Sequence, residues 1–220
     1  MTNVDRIICE IDAGLRTLFA APHAQRPLPS SGISSPMQAD NTALPAASVL
    51  TDDAKRESAR LMRINHAGEV CAQALYQGQA AVARSVQTRT MLKKAAQEER
   101  DHLAWCQTRL NELNGNASRL TPIFYAGSFA LGAMSGLLGD KWSMGFLVET
   151  ERQVETHLGE HLNRLATQDQ RSREILEAMR ADEIHHAETG LAHGGVELPA
   201  PAKAMMRGIS KVMTTTTYWI

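Results

Sequence analysis

Aromatic residues are scarce in this chain of 220, where Phe, Trp and Tyr together make up 5%. Cysteine is scarcer still: Cys9, Cys71 and Cys106 lie far apart, with no Cys-x-x-Cys pair. Such a set suits neither a disulfide framework nor a thiolate zinc site, and reduced thiols in a cytosolic compartment are expected. An excess of one charge is also missing. Lys and Arg number 23 against 24 for Asp and Glu, a net charge of −1, which argues against nucleic acid as a partner. Gly and Pro, 15 and 8, are too few for a fibrous or disordered chain. No Gly-x-Gly-x-x-Gly or P-loop occurs, so no nucleotide domain is expected and the electron donor of any redox reaction stays unassigned. A cleaved leader is not expected, because Asp5, Glu10 and Asp12 interrupt the first apolar stretch.

What is present is helical periodicity, with almost no strand pattern. Residues 1–20 read as a short amphipathic helix, with Ile7, Ile8, Ile11, Leu15 and Leu18 near helical spacing. Residues 21–50 are rich in Pro and Ser and read as a mobile linker. From residue 51 the pattern predicts one helical domain to residue 220. Its helices span about 51–85, 88–114, 122–139, 141–166 and 170–193, and a last one follows Pro199-Ala200-Pro201.

Charge sits where these helices should be apolar. One row reads Leu92, Ala95, Glu99, His102, Cys106, Leu110, and another Ile175, Met179, Glu183, His186, Gly190. Each places a Glu and a His at i and i+3 on one inward face. The row Leu147, Glu151, Val154, Leu158 is interrupted once more, and Glu69 lies between Met62 and Tyr76. A buried carboxylate is costly unless paired or bound to metal. These rows contain no Lys or Arg, so a multivalent cation is called for.

Spacing strengthens the case. Glu69 to Glu99 is 30 residues and Glu151 to Glu183 is 32, each a helix, a turn and the next helix. The second Glu of each pair opens the chain's only two Glu-x-x-His motifs. Four Glu and two His on facing helices make the ligand set of dimetal ferritin-like bundles. Carboxylate and imidazole donors suit iron or manganese. The expected fold is therefore all-α, a ferritin-like up-down bundle with two added apolar or amphipathic helices and the short N-terminal one. Glu155, one turn from Glu151, is the rival ligand on its helix. Glu98 and Glu149 fall off the stripes. Asp101, Asp182, His161, His185 and His193 read as surrounding or solvated groups. His66 and His157 are near enough to hold ligands by hydrogen bonds, or are simply structural.

These residues resemble a family. Asn65-His66-Ala67-Gly68-Glu69, Glu98-Glu99-Arg100-Asp101-His102, Glu149-Thr150-Glu151 with His157, Asp182-Glu183-Ile184-His185-His186, and Gly190-Leu191 with His193 look like the demethoxyubiquinone hydroxylases of ubiquinone biosynthesis. The match covers about residues 55–220. It implies two iron ions on Glu69, Glu99, His102, Glu151, Glu183 and His186, with Glu99 and Glu183 close to both. It further implies a monooxygenase that uses O2 to hydroxylate the ring of a polyprenylated demethoxy-quinol. Some members have Tyr after the histidine that matches His157. Leu158 stands there in this chain.

An uncharged run, Leu120 to Gly139, offers a place for a greasy substrate. From Pro122 it would make a helix of about 27 Å, borderline for a hydrocarbon core of about 30 Å. Spanning would put Glu151 and Glu99 on opposite sides of a membrane, so the run is expected at the interface. Ser128, Gly132 and Gly136 form a small-residue ridge for a helix or a flat ligand. The last helix opposes Met205, Met206, Ile209, Val212 and Met213 to Lys203, Arg207 and Lys211 and ends in Tyr218-Trp219-Ile220, a pattern for a membrane surface. The expectation is a peripheral protein on the cytoplasmic face of the inner membrane, with self-association or a biosynthetic complex left open. The competing reading is a ferroxidase or iron-handling bundle, which needs the metals but no apolar entrance.

Overall fold

A computed structural model describes residues 3–29 and 50–220 of the chain. The described residues form seven helices and no strand: α1 (Asn3–Phe19), α2 (Asp52–Val82), α3 (Val86–Glu112), α4 (Thr121–Leu137), α5 (Asp140–Arg164), α6 (Gln170–Ala192) and α7 (Ala200–Trp219). The boundaries follow local chemistry. Thr51, Ser85 and Asp169 cap α2, α3 and α6 by accepting from the backbone N–H of Ala54, Thr88 and Ser172. Gly139, with φ at +111°, makes the tight passage from α4 into α5.

Helices α2, α3, α5 and α6 make the bundle, joined as two hairpins by short turns. Contacts at the helix ends show that neighbours run antiparallel. Glu57 near the start of α2 accepts from Arg164, the last residue of α5, and Arg109 late in α3 reaches Asp169 and Ser172 at the start of α6. Helix α4 is the crossover between the hairpins, and its small-residue ridge serves α2. A Cβ on Gly132 would stand 2.1 Å from the Leu75 carbonyl oxygen, and one on Gly78 would stand 2.2 Å from that of Phe129. Backbones that close tolerate no side chain. At the other end of α2, Tyr218 of α7 donates to Glu57, and Arg60 lies over the Tyr218 and Trp219 rings.

The bundle core is divided. One apolar cluster gathers Leu61, Met62, Trp105, Leu110, Leu158 and Met179. The other gathers Leu75, Tyr76, Leu92, Met144 and Leu147. Between them, on every one of the four helices, lies a polar layer.

The segment after α1 departs from the linker expectation. Residues 20–29 form no helix, yet Arg26 packs over Trp105 and Leu28 packs against the first apolar cluster. Pro- and Ser-rich composition excludes regular structure but not docking of single side chains. The rest of the expected linker, residues 30–49, lies outside the described residues.

Candidate metal centre

The polar layer contains the six residues singled out by the stripes. Glu69 comes from α2, Glu99 and His102 from α3, Glu151 from α5, and Glu183 and His186 from α6. All are buried, His102 completely and His186, the most open, at 7%. Two overlapping groups each offer ligand atoms within 4.8 Å of one another: Glu69, Glu99, His102 and Glu183, and Glu99, Glu151, Glu183 and His186. Glu99 and Glu183 belong to both. His102 Nδ1 lies 2.9 Å from Glu99, 3.3 Å from Glu183 and 3.7 Å from Glu69. His186 Nδ1 lies 3.2 Å from Glu99, 3.5 Å from Glu183 and 3.7 Å from Glu151. Each imidazole nitrogen thus faces three carboxylates, in an arrangement that repeats across the two hairpins.

Several of these atoms lack a partner. Glu99 Oε1, both carboxylate oxygens of Glu183 and His186 Nδ1 are buried and make no hydrogen bond among the described residues. Natural cores rarely leave four such atoms together. Oxygen and imidazole donors converging on two points fit two divalent cations of the iron or manganese type. Electrostatics agree. Burial, together with neighbouring carboxylates, lifts Glu69 and Glu151 well above the usual range. Against the pull of burial, Glu183, Glu99 and Glu151 push His186 up to about 12; against the same pull, Glu99 with its neighbours holds His102 well above its ordinary value. Burial also works to raise Glu99, but the two imidazoles hold it below its ordinary value. Carboxylates crowded into a dry layer keep their charge only beside positive partners.

A surrounding set of groups orients the six. The Nε2 atoms of the histidines are held by carboxylates from the opposite hairpin: His102 by Asp182 of α6 at 2.9 Å, and His186 by Glu98 of α3 at 3.0 Å. Such partners fix the ring and make the other nitrogen a better donor. In the sequence Glu98 falls off the apolar stripe and carries no ligand signal of its own. The overlooked signal is the acid immediately before each shared glutamate, Glu98-Glu99 and Asp182-Glu183. Tyr76, unforeseen as a site residue, donates its hydroxyl to Glu151 Oε1. Glu155 turns away to Arg180 at 2.7 Å, so Glu151 is the one that joins the layer.

His66 and His157 bond none of the six. His66 engages Gln107, and burial pushes it down to about 4. His157 stacks edge-on against His161 and lies 3.8 Å from Glu160. His161 is held by Asn65, Asp101 by the N-terminal segment, and His185 is exposed.

Beside the layer lies a cavity of about 350 Å³ between α2, α4, α5 and α7. Leu75, Leu131, Phe146, Val154 and Met206 line it, and Glu69 forms part of its wall. At its α4 and α7 side Ile123, Met205 and Ile209 are exposed.

These features define a ferritin-like helical bundle whose buried glutamates and histidines can hold metal. The family model described as ubiquinone biosynthesis protein COQ7 matches residues 56–217, and the chain belongs to that family. It is 52% identical to the 3-demethoxyubiquinol 3-hydroxylase of Nitrosospira multiformis over 220 residues, all of both chains. Over the same span it is 50% identical to the enzyme of that name from Nitrosomonas europaea. Over 217 residues, 99% of this chain and 100% of the relative, it is 52% identical to the one from Ralstonia pickettii.

Proposed function

We propose that the chain hydroxylates the ring of a polyprenylated demethoxy-quinol, with dioxygen and two iron ions held by Glu69, Glu99, His102, Glu151, Glu183 and His186. Full-length relatives named 3-demethoxyubiquinol 3-hydroxylase support the reaction class. The observation that carries the substrate reading is the apolar cavity that ends on Glu69. Its volume falls within the range of small-molecule sites, and a ferroxidase has no use for it.

Iron bound in the layer would supply the open coordination positions and electrons with which one oxygen atom enters a ring C–H as hydroxyl and the other leaves as water, an external donor returning two electrons. The chain's own residues supply the rest. Leu75, Leu131 and Phe146 keep water from the reacting ring. His157 lines the same cavity, and its buried Nε2 has no hydrogen-bond partner among the described residues, so it suits a quinol hydroxyl. Burial lowers the pKa of His157, which favours the neutral ring such a bond needs.

The exposed apolar groups of α4 and α7 support peripheral association with a membrane that holds the quinol. No helix among the described residues is long and apolar enough to cross one. The cytoplasmic face of the inner membrane is the side that suits three unpaired thiols.

Anaerobic iron loading followed by oxygen uptake tests the proposal. Two irons per chain and uptake that depends on a demethoxy-quinol are expected, with both lost in His186→Ala. Iron-dependent uptake indifferent to the quinol would favour the ferroxidase.

A further inference from the structure

The two halves of the centre are alike in their ligands but not in what lies behind them. Behind His102, the segment that follows α1 crosses the outer seam of α3 and α6. Gln25 N–H donates to Asp101 Oδ1 at 2.7 Å and Arg26 Nε to Asp101 Oδ2 at 2.9 Å. Arg26 Nη2 reaches Asp182 Oδ2 at 2.8 Å, the same oxygen that holds His102 Nε2. That guanidinium nitrogen stands 3.4 Å from His102 Nε2, and the group lies 4.7 Å over the Trp105 ring. Leu28, half-buried against the first apolar cluster, and Arg171, which donates to the Pro29 carbonyl, anchor the segment beyond. Behind His186 the corresponding cation is Lys94. It is three-quarters exposed and approaches Glu98 through the other oxygen, at 3.4 Å.

We propose that Arg26 is a positioning residue that makes the two metal positions unequal, so that the position built on Glu69 and His102 fills after the one built on Glu151 and His186. The inference rests on the metal reading above. A carboxylate oxygen shared with a fixed guanidinium has less charge to give His102, so Nδ1 is a weaker donor. The fixed positive charge also lies one imidazole away from an incoming cation, within a partly desolvated seam where it is poorly screened. Lys94, in water and on the far oxygen, does neither.

The test is anaerobic titration of the full chain with Mn2+, followed by calorimetry and by electron paramagnetic resonance at one equivalent. Wild type should bind in two resolved steps, with an isolated six-line Mn2+ signal at one equivalent. Arg26→Gln should tighten the weaker step about tenfold, merge the steps and reduce the six-line signal as coupled pairs form. Arg26→Lys should keep the steps apart, and Lys94→Gln should leave both within about twofold. Unchanged steps in Arg26→Gln would overturn the proposal. So would a loss of affinity at both positions, which would make the segment a brace for the fold. A wild-type chain that takes up no Mn2+ would instead overturn the metal centre itself.

Discussion

Tyr76→Phe removes one oxygen from a side chain with no exposed surface and leaves its ring in place. The lost hydroxyl donates to Glu151, itself 1% exposed, so no water can replace it. A buried acceptor stripped of its partner costs about 1–3 kcal/mol. In a chain of this length that is a fall of roughly 2–12 °C in Tm, readable by scanning calorimetry of the metal-free protein. The consequence for the site is larger. Tyr76 braces the Glu151 rotamer from outside the ligand set, and a ligand that loses such a brace costs about 10–100-fold in metal affinity. Mn2+ titration of Tyr76→Phe should therefore show one weakened position, the one that includes His186, with the other nearly unchanged. Because Phe fills the same space, no cavity term confuses the result. A variant with wild-type Tm and wild-type affinities would refute the view that Tyr76 orients Glu151. A lower Tm with both affinities intact would show that the bond serves only the empty bundle.

Glu151→Gln should abolish quinol-dependent oxygen uptake, whereas Glu155→Gln, which breaks only a partly exposed pair with Arg180, should retain it and cost at most about 1 kcal/mol; a dead Glu155→Gln would move the ligand one turn. Gly132→Ala places a Cβ against the Leu75 carbonyl, so α4 must lift from α2 at a cost of about 1–3 kcal/mol; KM for the quinol should rise while iron content holds, and unchanged kinetics and Tm would contradict the close packing. His66 is held near 4 by burial against an ordinary value of 6.5. Below 6.5 the unfolded chain takes a proton that the folded chain refuses, so this group costs stability as pH falls towards 4. Denaturant unfolding of His66→Gln against wild type should shift in favour of the variant by about 3 kcal/mol between neutral pH and pH 4; a difference independent of pH would refute the burial argument.

The helices and the six inward residues were legible because both are local. Period 3.6 tells which side chains share a face, caps such as Ser85 and Asp169 mark where a helix begins, and a carboxylate on an apolar row announces a cost that a partner or a metal must offset. Matched spacings of 30 and 32 residues then show that two hairpins carry the same device. Local periodicity cannot say how one helix is rotated against the next, and everything that depends on that rotation was decided by the tertiary structure. Glu151 rather than Glu155 points inward because α6 brings Arg180 to the latter. Glu98 and Asp182 look like solvated acids on their own helices, and become histidine partners only when the opposite hairpin presents His186 and His102. The ridge of Ser128, Gly132 and Gly136 suits a helix or a ligand equally; the approach of α2 gave Gly132 and Gly136 to the helix and left Ser128 on the cavity wall. Arg26 sits in a stretch whose composition forbids regular structure, and a single docked side chain leaves no periodic trace in a sequence. Its place beside Asp182 exists only once α3 and α6 have packed.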